Sequence, residues 1–287
     1  MTAVTTAPRV PRTIVLPSPS RARRFGALAT LARRRFALSA HTPREIVVPL
    51  LTPVLFAVVI APALAKSVGN LRGIDYTSFV AIGTAGLLIP ISCMFAGIGV
   101  IVDRESGARR DLLAAPIPRP LMVLGNLSVA LVVSAMQLGA LIVAAVLRGA
   151  EFHAGTSGMA WFVAGALGLA VTMYGGAEAL ANRIPKQEEY VGALPAIAIV
   201  PWFFAGSLFP ISSLPMGLAA FAKVLPLTHA LALMRYGLVD GRGSGLHDIW
   251  GMASPTAMAA LSLGVVVAYA AALSALSIRV FSRAAVR

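Results

Sequence analysis

From Leu121 to Leu147 the chain runs for 27 residues without a charged side chain. About 20 consecutive apolar residues carry a helix across the roughly 30 Å hydrocarbon core of a bilayer, so this stretch alone reads as a membrane span. Stretches of the same character recur at Ile46–Ala65, 77–102, 161–181, 191–209 and 252–278. Only 12% of the 287 residues are charged, against roughly 25% in soluble domains, and mean hydropathy is +0.83. A soluble chain of this size could not bury so much apolar surface on one core. The sequence therefore predicts an all-α membrane protein. Pro49, Pro53 and Pro62 kink the first span, and Gly83, Gly86, Gly97 and Gly99 let neighbours approach the second.

Charge placement orients the spans. The formal net charge is +13, and a basic chain can face nucleic acid, an anionic membrane surface or the cytoplasm. With the amino terminus inside and six spans, 18 of the 24 Lys and Arg residues fall on the cytoplasmic side and 6 on the outer side. An even number of spans also places Arg279, Arg283 and Arg287 inside, so both termini are expected in the cytoplasm. Topology accounts for the charge, and no nucleic-acid partner is expected.

Residues 1–20 hold four prolines and no periodicity, and read as a disordered tail. Residues 21–45 follow with Phe25, Leu28, Ala29, Ala32 and Phe36 at helical spacing and six arginines around them. An interfacial amphipathic helix or a solvated charged face explains this pattern. The transmembrane domain then spans 46–285. Its outer region 210–245 is interrupted by Pro210, Pro215 and Pro226 and by Lys223, His229 and Arg235. It reads as two short helices on or dipping into the outer surface, a re-entrant hairpin between spans five and six.

Catalytic and cofactor signatures are absent from the sequence. No Lys follows a Gly, so there is no phosphate-cradling Gly-Lys-Ser/Thr loop. The single Cys93 allows no internal disulfide, and the four His residues have no i, i+4 partner, so no catalytic residue, cofactor or metal is expected in this chain. Intramembrane charge is costly and falls on Glu178, near the inner end of span four. It either snorkels and pairs near Arg183, or it acts in gating or substrate contact. His229 and Arg235 either line an outer vestibule or serve the local structure.

The loop 103–118 is the densest charged segment. Asp103, Arg104, Glu105, Arg109, Arg110 and Asp111 surround Ser106 and Gly107, and Leu112 and Leu113 form an apolar edge before "AAPIPRP". A positive-inside anchor explains the arginines but not the ordered Glu-Ser-Gly, Leu-Leu and Pro. "DRESGARRDLLAAPIPRPLMVLG" resembles the loop between the second and third spans of ABC-2 type transporter permeases, and "FFAGSLFPISSLPMGLAAFAKVLPLTHALALMRYGLVDG" resembles that family's segment after the fifth span. The resemblance covers residues 20–285 and is strongest to daunorubicin-resistance-like drug-efflux permeases.

That resemblance implies a coupling helix in which Arg104, Glu105, Ser106, Gly107, Arg109, Arg110, Asp111, Leu112 and Leu113 contact a separate ABC ATPase subunit. ATP and Mg would be held by that partner. A second permease copy, identical or related, and membrane lipid complete the expected partners, in a bacterial plasma membrane. The implied function is export of a hydrophobic or amphipathic compound, drug or lipid-like, with the loop tilting spans two and three. Export of a lipid-linked glycan or other envelope component is the alternative within the family. A proton-coupled secondary carrier is the alternative outside it, though buried carboxylates and inverted repeats are not evident.

Overall fold

A computed structural model describes residues 70–284 apart from 72, 115–117 and 154, together with residues 26, 29–34, 37, 55, 58, 59 and 62–64. The expected tail at 1–20 lies outside the described residues, as does most of the expected first span at 46–65. Four helices among the described residues are long and apolar enough to cross a membrane, and five if one sharply bent pair counts as a span.

A two-residue hairpin, β1 (Asn70–Leu71) and β2 (Ile74–Asp75), turns through Gly73 at φ +81° and leads into α1 (Tyr76–Glu105). Asp75 caps α1 by accepting from the Ser78 amide at 2.9 Å. The Ser78 hydroxyl in turn donates to the Glu151 carbonyl and accepts from the Glu151 amide, tying the helix start to a distant loop. There follow α2 (Ala108–Ala114), α3 (Arg119–Leu147) and α4 (Thr156–Ala181). Pro120 sits in the first turn of α3, where its missing amide costs nothing.

The expected span at 191–209 is not one continuous α-helix. It is built as α5 (Gln187–Leu194), a π-turn (Pro195–Ile199) and α6 (Val200–Phe204). Pro201 has no N–H to give the preceding turn, and the Val200 amide reaches back five residues to the Pro195 carbonyl, which widens the helix. Beyond Phe204 the chain leaves helical geometry through Gly206 at φ +78°.

Next come a 3₁₀ turn (Ile211–Ser213), α7 (Met216–Ala222), α8 (Pro226–Leu238), α9 (Ser244–Trp250) and α10 (Pro255–Ala284). The pair α7 and α8 is bent by 80°. Of the two expected placements, on the outer surface or dipping inward as a re-entrant hairpin, the surface one fits α7, where Met216 is 89% exposed. It does not fit α8, whose Leu227, Ala230, Leu231, Leu233 and Met234 are all buried. The four apolar side chains of Leu227, Leu231, Leu233 and Met234 give α8 an apolar surface on more than one face, and such a helix is stable only inside.

The hub is α4, which packs against α1, α8 and α10, while α3 flanks α1. At the crossing of α4 and α8, Gly158 and Gly237 face each other so closely that a Cβ on either would strike the other's carbonyl. On α1, Gly83, Gly86 and Gly97 meet the Ser207 carbonyl, Leu231 and the Tyr190 hydroxyl respectively. Ser92 and Gln137 form a buried hydrogen bond between α1 and α3. Side chains such as Val143, Leu147 and Phe203 remain exposed on the flanks, a surface suited to lipid.

Arg235 of α8 closes the break after α6. Its Nη1 donates to the Gly206 carbonyl at 2.7 Å and its Nη2 to Ser207 at 2.8 Å, while Nε and Nη2 both reach the Phe79 carbonyl. The guanidinium stacks 3.4 Å from the centroid of the Phe79 ring. Tyr76 adds a bond from its hydroxyl to the Leu208 carbonyl, and the Trp202 indole donates to Gly83 at 2.7 Å. Irregular backbone buried in a bundle is tolerated only where its polar groups are satisfied, and here one side chain reaches three carbonyls. Arg235→Met leaves those acceptors buried at about 1–3 kcal/mol each. It should lower the detergent melting temperature by roughly 5–10 °C, with Arg235→Lys recovering less than half because an ammonium cannot fork across three carbonyls.

Candidate functional site

Gly107, at φ +77°, ends α1 and reverses the chain into α2, a backbone conformation that glycine adopts without strain. The Arg110 amide then bonds the Gly107 carbonyl at 2.9 Å. This fixes the direction of α2, so its residues divide between a face toward the bundle and a face toward solvent.

Three of the sequence-predicted residues turn inward. Arg104 donates to the carbonyls of Ala181 at 3.1 Å, Ile184 at 2.8 Å and Pro185 at 2.8 Å. These are orphan acceptors at and beyond the α4 terminus, where the helix dipole also favours a cation. Arg109 lies over the Phe281 ring of α10, 4.9 Å from its centroid. Leu112 packs in a cluster with Leu31, Leu121, Met122 and Phe281. Glu105, Ser106 and Arg110 face outward and are exposed, and Gly107 forms the turn between them. The side chains of Asp111 and Leu113 lie outside the described residues.

The helical residues 29–34 come to the same place. Arg34 pairs with Asp103 at 3.3 Å, and Leu31 seats against Gly125 of α3, where the absence of a side chain makes room. Leu31 is buried and Ala29 exposed, so the face turned to the bundle is offset from the expected apolar stripe. The amino-terminal helix, the ends of α1 and α10, the start of α3, and α2 thus meet at one junction.

Glu178 lies one turn before the end of α4 and is 0% exposed, whereas Arg183 is exposed. A snorkelling carboxylate would reach water, and this one does not. Its charge acts instead on Arg109: burial pushes the Arg109 pKa down, Arg104 adds to that, and Glu178 opposes both. Beside it the Tyr190 hydroxyl donates to the Met94 carbonyl at 2.9 Å and joins α5 to α1.

His229 and Arg235 do not join this junction. His229 Nε2 donates to the Lys223 carbonyl at 2.9 Å, so Nδ1 is left to accept from the Ser262 hydroxyl at 3.2 Å. Ser262 also accepts from the Trp250 indole at 2.8 Å. Because Ser262 is fully buried, this Ser–His contact pins the α7–α8 bend to α10 and offers no accessible nucleophile. Arg235 borders a small cavity with Tyr236, Asp240 and Asp248.

Sequence reasoning missed Arg34, Leu31 and Phe281 as parts of the junction. One arginine in a run of three carries no mark of its partner. Arg104→Ala should leave the bundle folded but free the segment after α4. Losing three charge-assisted bonds to carbonyls should speed amide exchange in residues 180–190 by about tenfold or more, each factor of ten being about 1.4 kcal/mol; unchanged exchange there would contradict the capping role.

A family model described as ABC-2 type transporter matches residues 26–239. None of the curated proteins compared matches the chain. The match takes in the helical residues 29–34, α2 and the whole of α8, and the chain belongs to the ABC-2 type transporter family, as a multi-pass membrane component of an ABC system.

Proposed function

We propose that the chain is the permease half of a bacterial exporter, with six spans, both termini cytoplasmic, and a separate ABC ATPase docked on α2. Membership of the family supports the need for an ATPase partner, since ABC-2 domains are membrane components that work with one. The observation that carries the docking reading is the two-sidedness of the corner between α1 and α2, from Arg104 to Leu112. Its inner face is fastened by Arg104, Arg109 and Leu112, and Glu105, Ser106 and Arg110 remain exposed in one short arc.

ATP and Mg bind in the partner, and closure of two ATPases presses on α2. The residues of the α1–α2 corner pass that displacement on. Arg104 transmits it to the end of α4 and Arg109 to α10, so the motion reaches helices beyond the two that the loop joins. A second permease copy completes the pathway, which opens inward before closure and outward after it. The cargo is a hydrophobic or amphipathic compound, as the resemblance to drug-efflux permeases implies.

The double variant Glu105→Arg/Arg110→Glu reverses two exposed charges without touching the inner face. Recovery of the ATPase with the tagged chain should fall at least about tenfold, a loss of about 1.4 kcal/mol, and efflux should be abolished, with the amount of chain in the membrane unchanged. Full ATPase recovery with normal efflux would remove α2 from the docking surface.

A further inference from the structure

Beneath α2, at the junction with α10 and the amino-terminal helix, lies a cleft whose polar wall carries Arg34, Asp103 and Arg109 and whose apolar wall carries Leu31, Leu112 and Phe281. A guanidinium has five N–H donors. The Arg109 Nη2 is buried and has no hydrogen-bond partner, and the ring of Phe281 covers one face of the group. Burying such a donor without an acceptor is unfavourable, the more so for a charged group. Although Asp103 and Asn126 also line the cleft, neither reaches the Arg109 Nη2, and the acceptor that suits this charged donor best is anionic.

Its chemistry can be narrowed further. Asp103 takes one bond from Arg34, and Arg104 and Glu178 act on Arg109 with opposite sign, so the charges in and around the cleft sum to a single positive one. One positive charge matches a phosphodiester monoanion better than a phosphate dianion. The apolar wall asks for a hydrocarbon chain attached to that anion. Depth agrees as well: the apolar run of α1 ends at Val102, immediately before Asp103, so the cleft sits where lipid headgroups lie. Basic pockets between helices at that level bind lipid headgroups.

We propose that this cleft binds an anionic glycerophospholipid, with Arg109 and Arg34 taking its phosphodiester and an acyl chain lying on Leu31, Leu112 and Phe281. The lipid is thereby a structural ligand joining α2 to α10 and to the amino-terminal helix. This site is separate from the export reading and stands without it.

The full chain, delipidated in detergent, is titrated with dioleoyl phosphatidylglycerol, dioleoyl phosphatidylcholine or inorganic phosphate, and binding is read by native mass spectrometry and thermal shift. Phosphatidylglycerol should bind about tenfold tighter than phosphatidylcholine, whose ammonium would sit beside Arg34, the factor corresponding to about 1.4 kcal/mol. Arg109→Gln should lose that tenfold, while Arg110→Gln, an exposed neighbour outside the cleft, should keep it. Should Arg109→Gln fail to fold, Arg109→Lys keeps the charge without the fork and should lose about threefold. Equal binding of the two lipids, or equal losses in the Arg109 and Arg110 variants, would overturn the site, the latter by showing diffuse surface charge. Saturation by inorganic phosphate that blocks the lipid at similar concentration would show that the anion comes from solution, and would overturn the lipid assignment.

Discussion

A backbone carbonyl that leaves a helix inside a packed bundle must find a donor, and the chain turns after α4 and α6 raise that requirement. Two arginines meet it at opposite ends. Arg235 takes the carbonyls of Phe79, Gly206 and Ser207 where the chain turns after α6, and Arg104 takes those of Ala181, Ile184 and Pro185 where it turns after α4. The fork of the guanidinium is what lets one side chain do this at each place. Both arginines reach across from another helix, so satisfying the backbone also fixes how the helices sit against one another.

This dual use changes how charged residues in a membrane protein are read. Of the seven arginines that are helical and whose side chains are described, Arg33, Arg34, Arg104, Arg109, Arg110, Arg235 and Arg279, four turn toward protein and Arg33, Arg110 and Arg279 are exposed. A positive charge at a helix end serves topology while the chain is inserted and caps carbonyls once it is folded. The two roles need the same residue type and leave the same mark in the sequence.

The long helices were legible because an apolar run of span length has few other solutions: α1, α3, α4 and α10 match the expected runs closely. The charged loop was legible as a short helix, which α2 is, but the turn at Gly107 was not foreseen. What composition could not convey was which way side chains face. Arg104 and Glu105 are adjacent and both charged, yet one caps α4 and the other meets solvent. The break in the fifth apolar run depended on Pro195 and Pro201, whose effect on a helix, kink, π-turn or stop, is decided by the packing around them. Likewise the sequence left α8 either on the surface or dipping inward, because His229 and Arg235 are polar. Their partners, Ser262 and the carbonyls near Gly206, are distant in sequence and appear only when the chain is folded.

The crossing of Gly158 and Gly237 has a mechanical meaning. With backbone against backbone, there are no side chains to shear past one another, and sliding α8 along α4 would drive each carbonyl into the opposite Cα. Turning about the contact point meets no such obstacle, because the touching area is small. The crossing is built to pivot, and the Arg235 clamp, two residues from Gly237 and on the same side as α7, lies next to the fulcrum, so a swing that moves the distant α7–α8 elbow far barely stirs the gripped carbonyls.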